Sequence, residues 1–163
     1  MAQPPNLPST NLPSTSLPST SLPSEGRPHF LHLRPDDQPS SEQLRSLSPI
    51  SLAYIGDAVF ELYVRSRLLM PSKRIRDYHH QVVTQVNAEQ QAHYVDTLFP
   101  HLTEDEQDLV RRGRNATTGR HRRASGQDYQ KATGLEALIG YLYLSDQPRL
   151  CQLLDLLGIR SCQ

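Results

Sequence analysis

Two apolar stretches of this chain each carry glycine close to a carboxylate. Residues 52–61 place Gly56 beside Asp57, and residues 133–140 place glycines on both sides of Glu136. A glycine inside a helix costs about 1 kcal/mol relative to alanine, and a carboxylate among apolar residues needs a partner. Glycine also lets two helix backbones approach closely. We therefore predict that both stretches are helices and that they meet, which brings their acids together.

The apolar residues of the chain recur three and four positions apart, as they do on helices. Caps and prolines divide this pattern into six segments. The predicted helices cover residues 40–47, 50–70, 74–98 with a break near Asn87, 103–113, 128–144 and 148–157, with a loop over residues 115–125. Gly113 and Gly158 are expected to end their helices. We expect an all-α fold with no strands.

The first 35 residues have a different composition from the rest. Residues 6–25 consist of four five-residue units, NLPST, NLPST, SLPST and SLPSE, with proline at the third position of each. Regularly spaced prolines forbid helix, and leucine alone buries too little surface to offset the cost of ordering the chain. We expect a disordered low-complexity tail over residues 1–35 and one domain over residues 36–163.

The bulk composition excludes several classes of protein. Lys plus Arg and Asp plus Glu both number 17, so the chain lacks the overall basic excess of many nucleic-acid binders. Its apolar runs are far shorter than the roughly 18 residues that a membrane span needs. Cys151 and Cys162 lack metal-ligand spacing, and we see no secretory leader. We expect a cytoplasmic protein with no membrane partner.

The acids Asp57, Glu61 and Glu136 are candidates for chemistry. Asp57 and Glu61 are four residues apart, so a helix places them on the same side. Carboxylates that converge in a cleft share protons or hold a divalent cation, and Mg²⁺ binds one or two carboxylates together with water and phosphate oxygens. Such a site suits phosphodiester hydrolysis. The alternative is a structural acid satisfied by an arginine or by a helix N-terminus.

A cluster of cations precedes the second acidic stretch. The arginines of this cluster are Arg111, Arg112, Arg114, Arg120, Arg122 and Arg123. Those at the end of the predicted helix complement its dipole, whereas the loop arginines need another anionic partner. Guanidinium groups bind phosphates in pairs of hydrogen bonds, so the segment suits a nucleic-acid backbone more than base recognition.

Residues 52–58, Leu-Ala-Tyr-Ile-Gly-Asp-Ala, and residues 135–140, Leu-Glu-Ala-Leu-Ile-Gly, resemble the two signature stretches of the ribonuclease III catalytic domain. The segment Arg-Arg-Gly-Arg-Asn-Ala at residues 111–116 is similar to the Mini-ribonuclease III branch, which lacks the double-stranded-RNA-binding domain. The resemblance covers about residues 37–160. It implies the ribonuclease III endonuclease-domain helical fold.

The resemblance also implies a homodimer that hydrolyses double-stranded RNA with Mg²⁺ and matures the large-subunit (23S) ribosomal RNA precursor, with a ribosomal protein as a further candidate partner. Asp57 and Glu136 match catalytic metal ligands, with Glu61 as a candidate support for them. Ala53 and Thr133 replace two further acids of the full-length family pattern.

Tyr54 matches a dimer contact, and the implied RNA-binding residues are Arg111, Arg112, Arg114, Asn115, Arg120, Arg122 and Arg123. The alternative function is a non-catalytic ribonuclease III-like RNA-binding module in ribosome assembly.

Overall fold

The computed structural model describes residues 39–116 and 126–160, and within these ranges every regular element is a helix. The helices are α1 (Ser41–Ser46), α2 (Pro49–Leu68), α3 (Ile75–Val86), α4 (Ala88–Leu98), a 3₁₀ turn (Phe99–His101), α5 (Glu104–Ala116), α6 (Gly126–Ser145) and α7 (Gln147–Leu156). The all-α prediction is confirmed. The predicted tail, residues 1–35, lies outside the described residues, as do Arg120, Arg122 and Arg123.

Local side-chain hydrogen bonds set the helix boundaries. Ser40 caps α1 in a reciprocal arrangement with Gln43, and Ser48 caps α2 with Pro49 in its first turn. Gly158 follows α7 with a φ of 62°, a conformation that glycine adopts without steric cost. These boundaries agree with the sequence predictions within one or two residues.

The predicted break at Asn87 is confirmed. Asn87 ends α3 and caps α4, and its side-chain oxygen accepts a hydrogen bond from the Gln90 N–H at 2.8 Å. Its amide nitrogen donates to the carbonyl groups of Val83 and Thr84. One asparagine side chain therefore satisfies a backbone N–H at the start of α4 and two backbone carbonyls at the end of α3.

The predicted end of α5 at Gly113 was wrong. The helix continues to Ala116, so Asn115 and Ala116 are helical and not part of a loop. Gly113 is buried instead where α5 crosses α6: a Cβ on it would lie 2.9 Å from both the Cβ of Ala137 and the Cα of Gly134. This glycine is present because another helix touches it, and not because the helix stops.

Helix α6 lies at the centre of the domain. It packs against α2, α4 and α5, with further contacts to α1 and α7. Its apolar side chains are buried on several sides, including Leu135, Leu138 and Ile139 at 1–2% exposure. Glu136 lies in the middle of this helix and is itself partly buried.

The start of α5 is tied to α7 by an ion pair. Thr103 and Glu106 form a capping box, with the Thr103 N–H donating to Glu106 at 2.8 Å. The buried Glu106 carboxylate also accepts two hydrogen bonds from the Arg149 guanidinium, each of 2.9 Å. Arg149 donates in addition to the His101 carbonyl. This contact fixes both helices against the 3₁₀ turn.

Among residues 39–116 and 126–160, no helix is both long enough and apolar enough to cross a membrane.

Candidate active site

Helices α2 and α6 cross at two glycines. A Cβ on Gly56 would lie 1.8 Å from the carbonyl oxygen of Glu136, and a Cβ on Gly140 would lie 2.0 Å from the carbonyl oxygen of Leu52. Ordinary carbon–oxygen contacts are far longer, so only glycine fits at either position. The two backbones touch here, as the sequence predicted. Asp57, next to Gly56, is thereby placed beside Glu136.

The carboxyl groups at this crossing both have raised pKa values. Burial and, secondarily, the negative charge of Asp57 raise the pKa of Glu136 from its ordinary 4.5 to about 7, although a hydrogen bond from Gln91 acts in the opposite direction. Partial burial and the charge of Glu61 also raise the pKa of Asp57. Acidic groups are therefore concentrated at the crossing, which is a condition that favours a bound cation.

The donor set fits a hard divalent cation. Both side chains offer carboxylate oxygens, which Mg²⁺ prefers, and Mg²⁺ needs only one or two of them because it retains several waters. Within the described part of the chain, no group of three or more His, Cys, Asp or Glu side chains is arranged to hold a metal. Asp57 and Glu136 form a pair of carboxylates at the crossing, of which Asp57 is exposed to solvent and Glu136 is partly buried.

Glu61 lies one turn beyond Asp57 but has a partner of its own. Its carboxylate accepts a hydrogen bond from Arg65 at 2.5 Å, and both side chains are about half exposed. Its charge reaches Asp57, whose pKa it raises. Glu61 thus adds negative charge beside the site while its carboxylate is engaged by Arg65.

Comparison with known proteins shows which family the chain belongs to. The model of the Ribonuclease III domain matches residues 50–147, which include both acids and the arginine cluster. This chain belongs to the ribonuclease III family.

Proteins named Mini-ribonuclease 3 are close relatives of this family member. The Synechocystis protein is 57% identical over 127 residues, covering 78% of this chain and 87% of the relative. The Synechococcus protein is 49% identical over 127 residues, covering 78% of this chain and 92% of the relative. A crystal structure of a Fusobacterium nucleatum protein is similar with a TM-score of 0.64 and 28% identity, covering 70% of this chain and 94% of that one.

These likenesses confirm an endoribonuclease of the family that acts on double-stranded RNA. The family is generally dependent on divalent metal ions, which agrees with the oxygen donor set at the crossing. They favour the enzyme over the non-catalytic RNA-binding module that the sequence left open.

The two positions where this ribonuclease III domain departs from the full-length pattern are both buried. Ala53 is 4% exposed, and Thr133 is 4% exposed with its hydroxyl donating to the Tyr129 carbonyl at 3.0 Å. Neither residue brings charge to the crossing. The negative charge of the site therefore comes from Asp57 and Glu136, with Glu61 nearby.

Gln91 is a residue near the site that the sequence did not single out. It lies in the first turns of α4, is 3% exposed, and donates from its side-chain amide to the Val86 carbonyl at 2.9 Å. The same amide acts to lower the pKa of Glu136, against the larger effect of burial. The available signal was an amide soon after a predicted helix break. Such residues are common in helices, and only the packing of α4 on α6 connects this one to an acid.

The described part of the arginine cluster lies along the end of α5. Arg111, Arg112, Arg114 and Asn115 are all exposed. Arg111 is engaged by Asp108 and Gln107 on its own helix. Arg111, Arg112 and Asn115 also line a groove of about 760 Å³ between α1 and α5. The cations are thus positioned on a surface rather than in the acidic crossing.

Tyr54 projects from the opposite side of α2 to the core. It is 83% exposed, and Ile50, one turn earlier, is 45% exposed. A large aromatic side chain in water leaves apolar surface that association would bury. Its position is compatible with the dimer contact expected from the sequence.

Proposed function

We propose that this chain is a Mg²⁺-dependent endoribonuclease in which Asp57 and Glu136 together hold the cation and direct hydrolysis of both strands of double-stranded RNA. The observation that carries the proposal is the α2–α6 crossing. There, Gly56 fits against the Glu136 backbone, and the neighbouring Asp57 is near enough for its charge to raise the pKa of the Glu136 carboxyl.

The chemistry that a divalent cation supplies in such a site is activation of water and neutralisation of charge on the leaving oxygen. The residues of the chain prepare that site. Burial and the charge of Asp57 hold the pKa of Glu136 at about 7, so without a cation the Glu136 carboxyl is half ionised at that pH and more fully ionised above it. Hydrolysis that leaves 5′-phosphate and 3′-hydroxyl ends is the outcome implied by the resemblance.

The arginines bind the phosphates of the substrate. Arg112 and Arg114 are exposed at the end of α5, and residues 120–123 add three more arginines along the sequence. Guanidinium contacts with phosphates hold a duplex without reading its bases. We propose that these residues, with Arg111 and Asn115, bind the RNA backbone beside the acidic crossing.

The biological substrate is inferred from the resemblance to the Mini-ribonuclease 3 proteins. We propose that it is the precursor of the 23S ribosomal RNA, processed by a cytoplasmic homodimer with a ribosomal protein as a further partner. The exposed Tyr54 supports the dimer, because contact with a second copy would bury its ring.

The deciding experiment is cleavage of long double-stranded RNA by the purified full chain, with and without Mg²⁺. Asp57→Asn and Glu136→Gln should each lower the cleavage rate by more than about 100-fold while duplex affinity stays nearly unchanged. Asp77→Asn and Glu104→Gln are matched controls, because both acids are exposed in first turns of their helices. Cleavage that persists in both site variants would remove Asp57 and Glu136 from the mechanism.

A further inference from the structure

The end of α2 and the start of α3 carry a concentration of cations that the proposed mechanism does not use. Residues 62–76 contain five Lys or Arg side chains and no Asp or Glu, whereas the whole chain is balanced at 17 of each sign. These five side chains make up the junction cluster, which consists of Arg65, Arg67, Lys73, Arg74 and Arg76. Such a local excess of one charge repels itself unless an anion neutralises it.

Three members of the junction cluster have hydrogen-bond partners on the protein. Arg65, Arg67 and Lys73 donate, respectively, to the Glu61 carboxylate, to the Ile159 carbonyl at 3.4 Å, and to the Gln81 side chain at 2.7 Å. Of these partners only Glu61 carries a charge. The contacts therefore fix the positions of three cations but neutralise only one of them.

Arg74 and Arg76 differ from these three. Both are exposed, and neither guanidinium forms a hydrogen bond or an ion pair with a residue of the described ranges, 39–116 and 126–160. Helix stability does not account for them, because they lie at the start of α3, where the helix dipole disfavours positive charge. Asp77, the acid of that first turn, offsets one of the two charges at most. An anion outside the chain would account for both arginines.

The junction cluster is connected to the acidic crossing along α2. Arg65 is eight residues beyond Asp57, which is about 12 Å along a helix. Its partner Glu61 lies midway, so the three side chains follow one another at successive turns. The Tyr78 hydroxyl donates to the Arg65 carbonyl at 2.7 Å, which places the first turn of α3 at the same level of α2. The exposed arginines of α3 therefore lie at the level of α2 that is about two turns beyond Asp57.

A nucleic-acid duplex suits this spacing. Double-stranded DNA carries one phosphate charge per roughly 1.7 Å of its axis, and duplex RNA is charged to a similar extent. A length of about 12 Å therefore presents about seven phosphates. A duplex with one phosphate at Asp57 has others near the start of α3. Exposed guanidinium groups bind such phosphates without reading the bases.

We propose that Arg74 and Arg76 form a second phosphate-binding surface, which holds the backbone of duplex RNA at the start of α3, beyond the acidic crossing. This inference rests on the proposed function, in which Asp57 acts at a phosphate of duplex RNA. The surface is separate from the arginines at residues 111–114, which lie on α5. Two helices, rather than one, thus bind the substrate backbone.

The test measures the affinity of the full chain for duplex RNA at increasing salt, in EDTA to prevent metal-dependent cleavage. Arg74→Gln, Arg76→Gln and the double variant are compared with wild type. Gln152→Glu is the matched control, because it changes the net charge by as much as either single variant, at an exposed position of α7. The double substitution of Arg74 and Arg76 by lysine keeps both charges. Circular dichroism and thermal unfolding check the fold of each variant.

We expect each single glutamine variant to reduce the slope of log affinity against log salt by about 0.9, if duplex RNA behaves like B-DNA, and the double variant to reduce it by about twice as much. Counterion release alone makes each lost contact weaken binding about 8-fold at 0.1 M salt. Gln152→Glu and the lysine variant should keep the slope of wild type. With Mg²⁺ and saturating protein, the single-turnover cleavage rate of the double glutamine variant should stay within about twofold of wild type, because neither arginine acts at the scissile phosphate.

A purely structural role for the two arginines would lower the unfolding temperature and leave the slope unchanged. A wild-type slope in the folded double glutamine variant would overturn the inference and indicate an acidic protein segment as the partner of the junction cluster. An equal change of slope in Gln152→Glu would also overturn it. If wild type nevertheless cleaves duplex RNA with Mg²⁺ and Asp57→Asn does not, only the α3 surface has failed. If wild type neither binds nor cleaves duplex RNA, the proposed function has failed, and the inference with it.

Discussion

Gly56 packs directly against the backbone of Glu136. A Cβ at Gly56 would lie 1.8 Å from the Glu136 carbonyl oxygen and 2.8 Å from the Gly140 nitrogen. Both are backbone atoms of a central helix, so neither can rotate away as a flexible side chain would. The spacing of the two acids therefore depends on a residue that carries no chemistry.

The first prediction concerns this contact. Gly56→Ala should force α2 and α6 apart and lower the free energy of unfolding by about 3 kcal/mol or more, at or above the upper end of the usual cost of overpacking. Cleavage should fall as well, because the carboxylates separate. Urea denaturation measures the first effect and a duplex cleavage assay the second.

Ala58→Gly is the control for helix propensity on the same helix. Ala58 is exposed, so its replacement should cost only about 1 kcal/mol and leave the crossing intact. If Gly56→Ala proves no more destabilising than Ala58→Gly, the close approach of α2 and α6 is not required for stability.

Much of the fold is visible in the sequence because helices are encoded locally. Ser48 with Pro49, Asn87 and Gly158 each mark a helix end by chemistry that acts within a few residues. The pairing of Gly56 with the acidic stretch of α6 could also be predicted. Each of the two apolar helices contains glycine and a carboxylate, which destabilise an isolated helix, and close packing of the two helices accounts for both.

The features that could not be predicted from the sequence are those set by contacts between helices. Gly113 has the same local signature as a helix stop, and only its contact with Gly134 and Ala137 explains its position inside α5. Arg149 likewise gains its role from a partner more than 40 residues away along the chain, Glu106. Periodicity identifies the apolar face of a helix but not the residue that lies across from it.

The second prediction concerns pH. Since the folded, metal-free protein raises the pKa of Glu136 from 4.5 to about 7, the fold favours the neutral acid. The stability that this preference contributes is fully present below pH 4.5 and is lost as pH rises through about 7. The glutamine of Glu136→Gln stays neutral at every pH. In EDTA, the Tm of this variant should therefore rise relative to that of wild type as pH increases across this range.

The measurement is thermal unfolding of both proteins between pH 4.5 and pH 8, which covers the titration of Glu136. Saturating Mg²⁺ should narrow the difference, because a bound cation offsets the buried negative charge. A Tm difference that is the same at both ends of the range would contradict the raised pKa.

The third prediction concerns Glu106 and Arg149. The hydrogen bond from Arg149 lowers the pKa of Glu106, so this pair contributes stability above the ordinary pKa of 4.5, and that stability is lost as pH falls through the lower folded value. Arg149→Met leaves a buried carboxylate without its partner and should cost about 3 kcal/mol at neutral pH. Urea denaturation measures it.

Two comparisons test the cause of that loss. Adding Glu106→Leu to Arg149→Met should recover most of the stability, since removing both charges removes the unpaired one. Lys131→Met breaks the more exposed ion pair with Asp96 and should cost at most about 1 kcal/mol. Equal losses from Arg149→Met and Lys131→Met would show that burial of the Glu106 pair is unimportant.

The fourth prediction concerns the arginines at residues 120–123. Each phosphate contact releases counterions, so log affinity for duplex RNA falls with log salt, by a slope of about 0.9 per contact if the duplex behaves like B-DNA. Neutralising Arg120, Arg122 and Arg123 to glutamine should reduce this slope. Arg111→Gln should change it less, because Asp108 and Gln107 already engage that guanidinium. An unchanged slope in the triple variant would show that those three arginines do not contact phosphate.

The last prediction concerns Tyr54. Its ring is 83% exposed on α2, with Ile50 one turn away at 45%, so two apolar side chains on one face are open to water. If this face joins two copies, Tyr54→Ala removes a large exposed aromatic group from it and shifts the protein towards monomer. Sedimentation velocity over a range of concentrations measures the shift. Leu156→Ala is the control, since Leu156 is 48% exposed but lies on α7, and it should leave association unchanged. A Tyr54→Ala protein that dimerises as strongly as wild type would exclude Tyr54 from the contact.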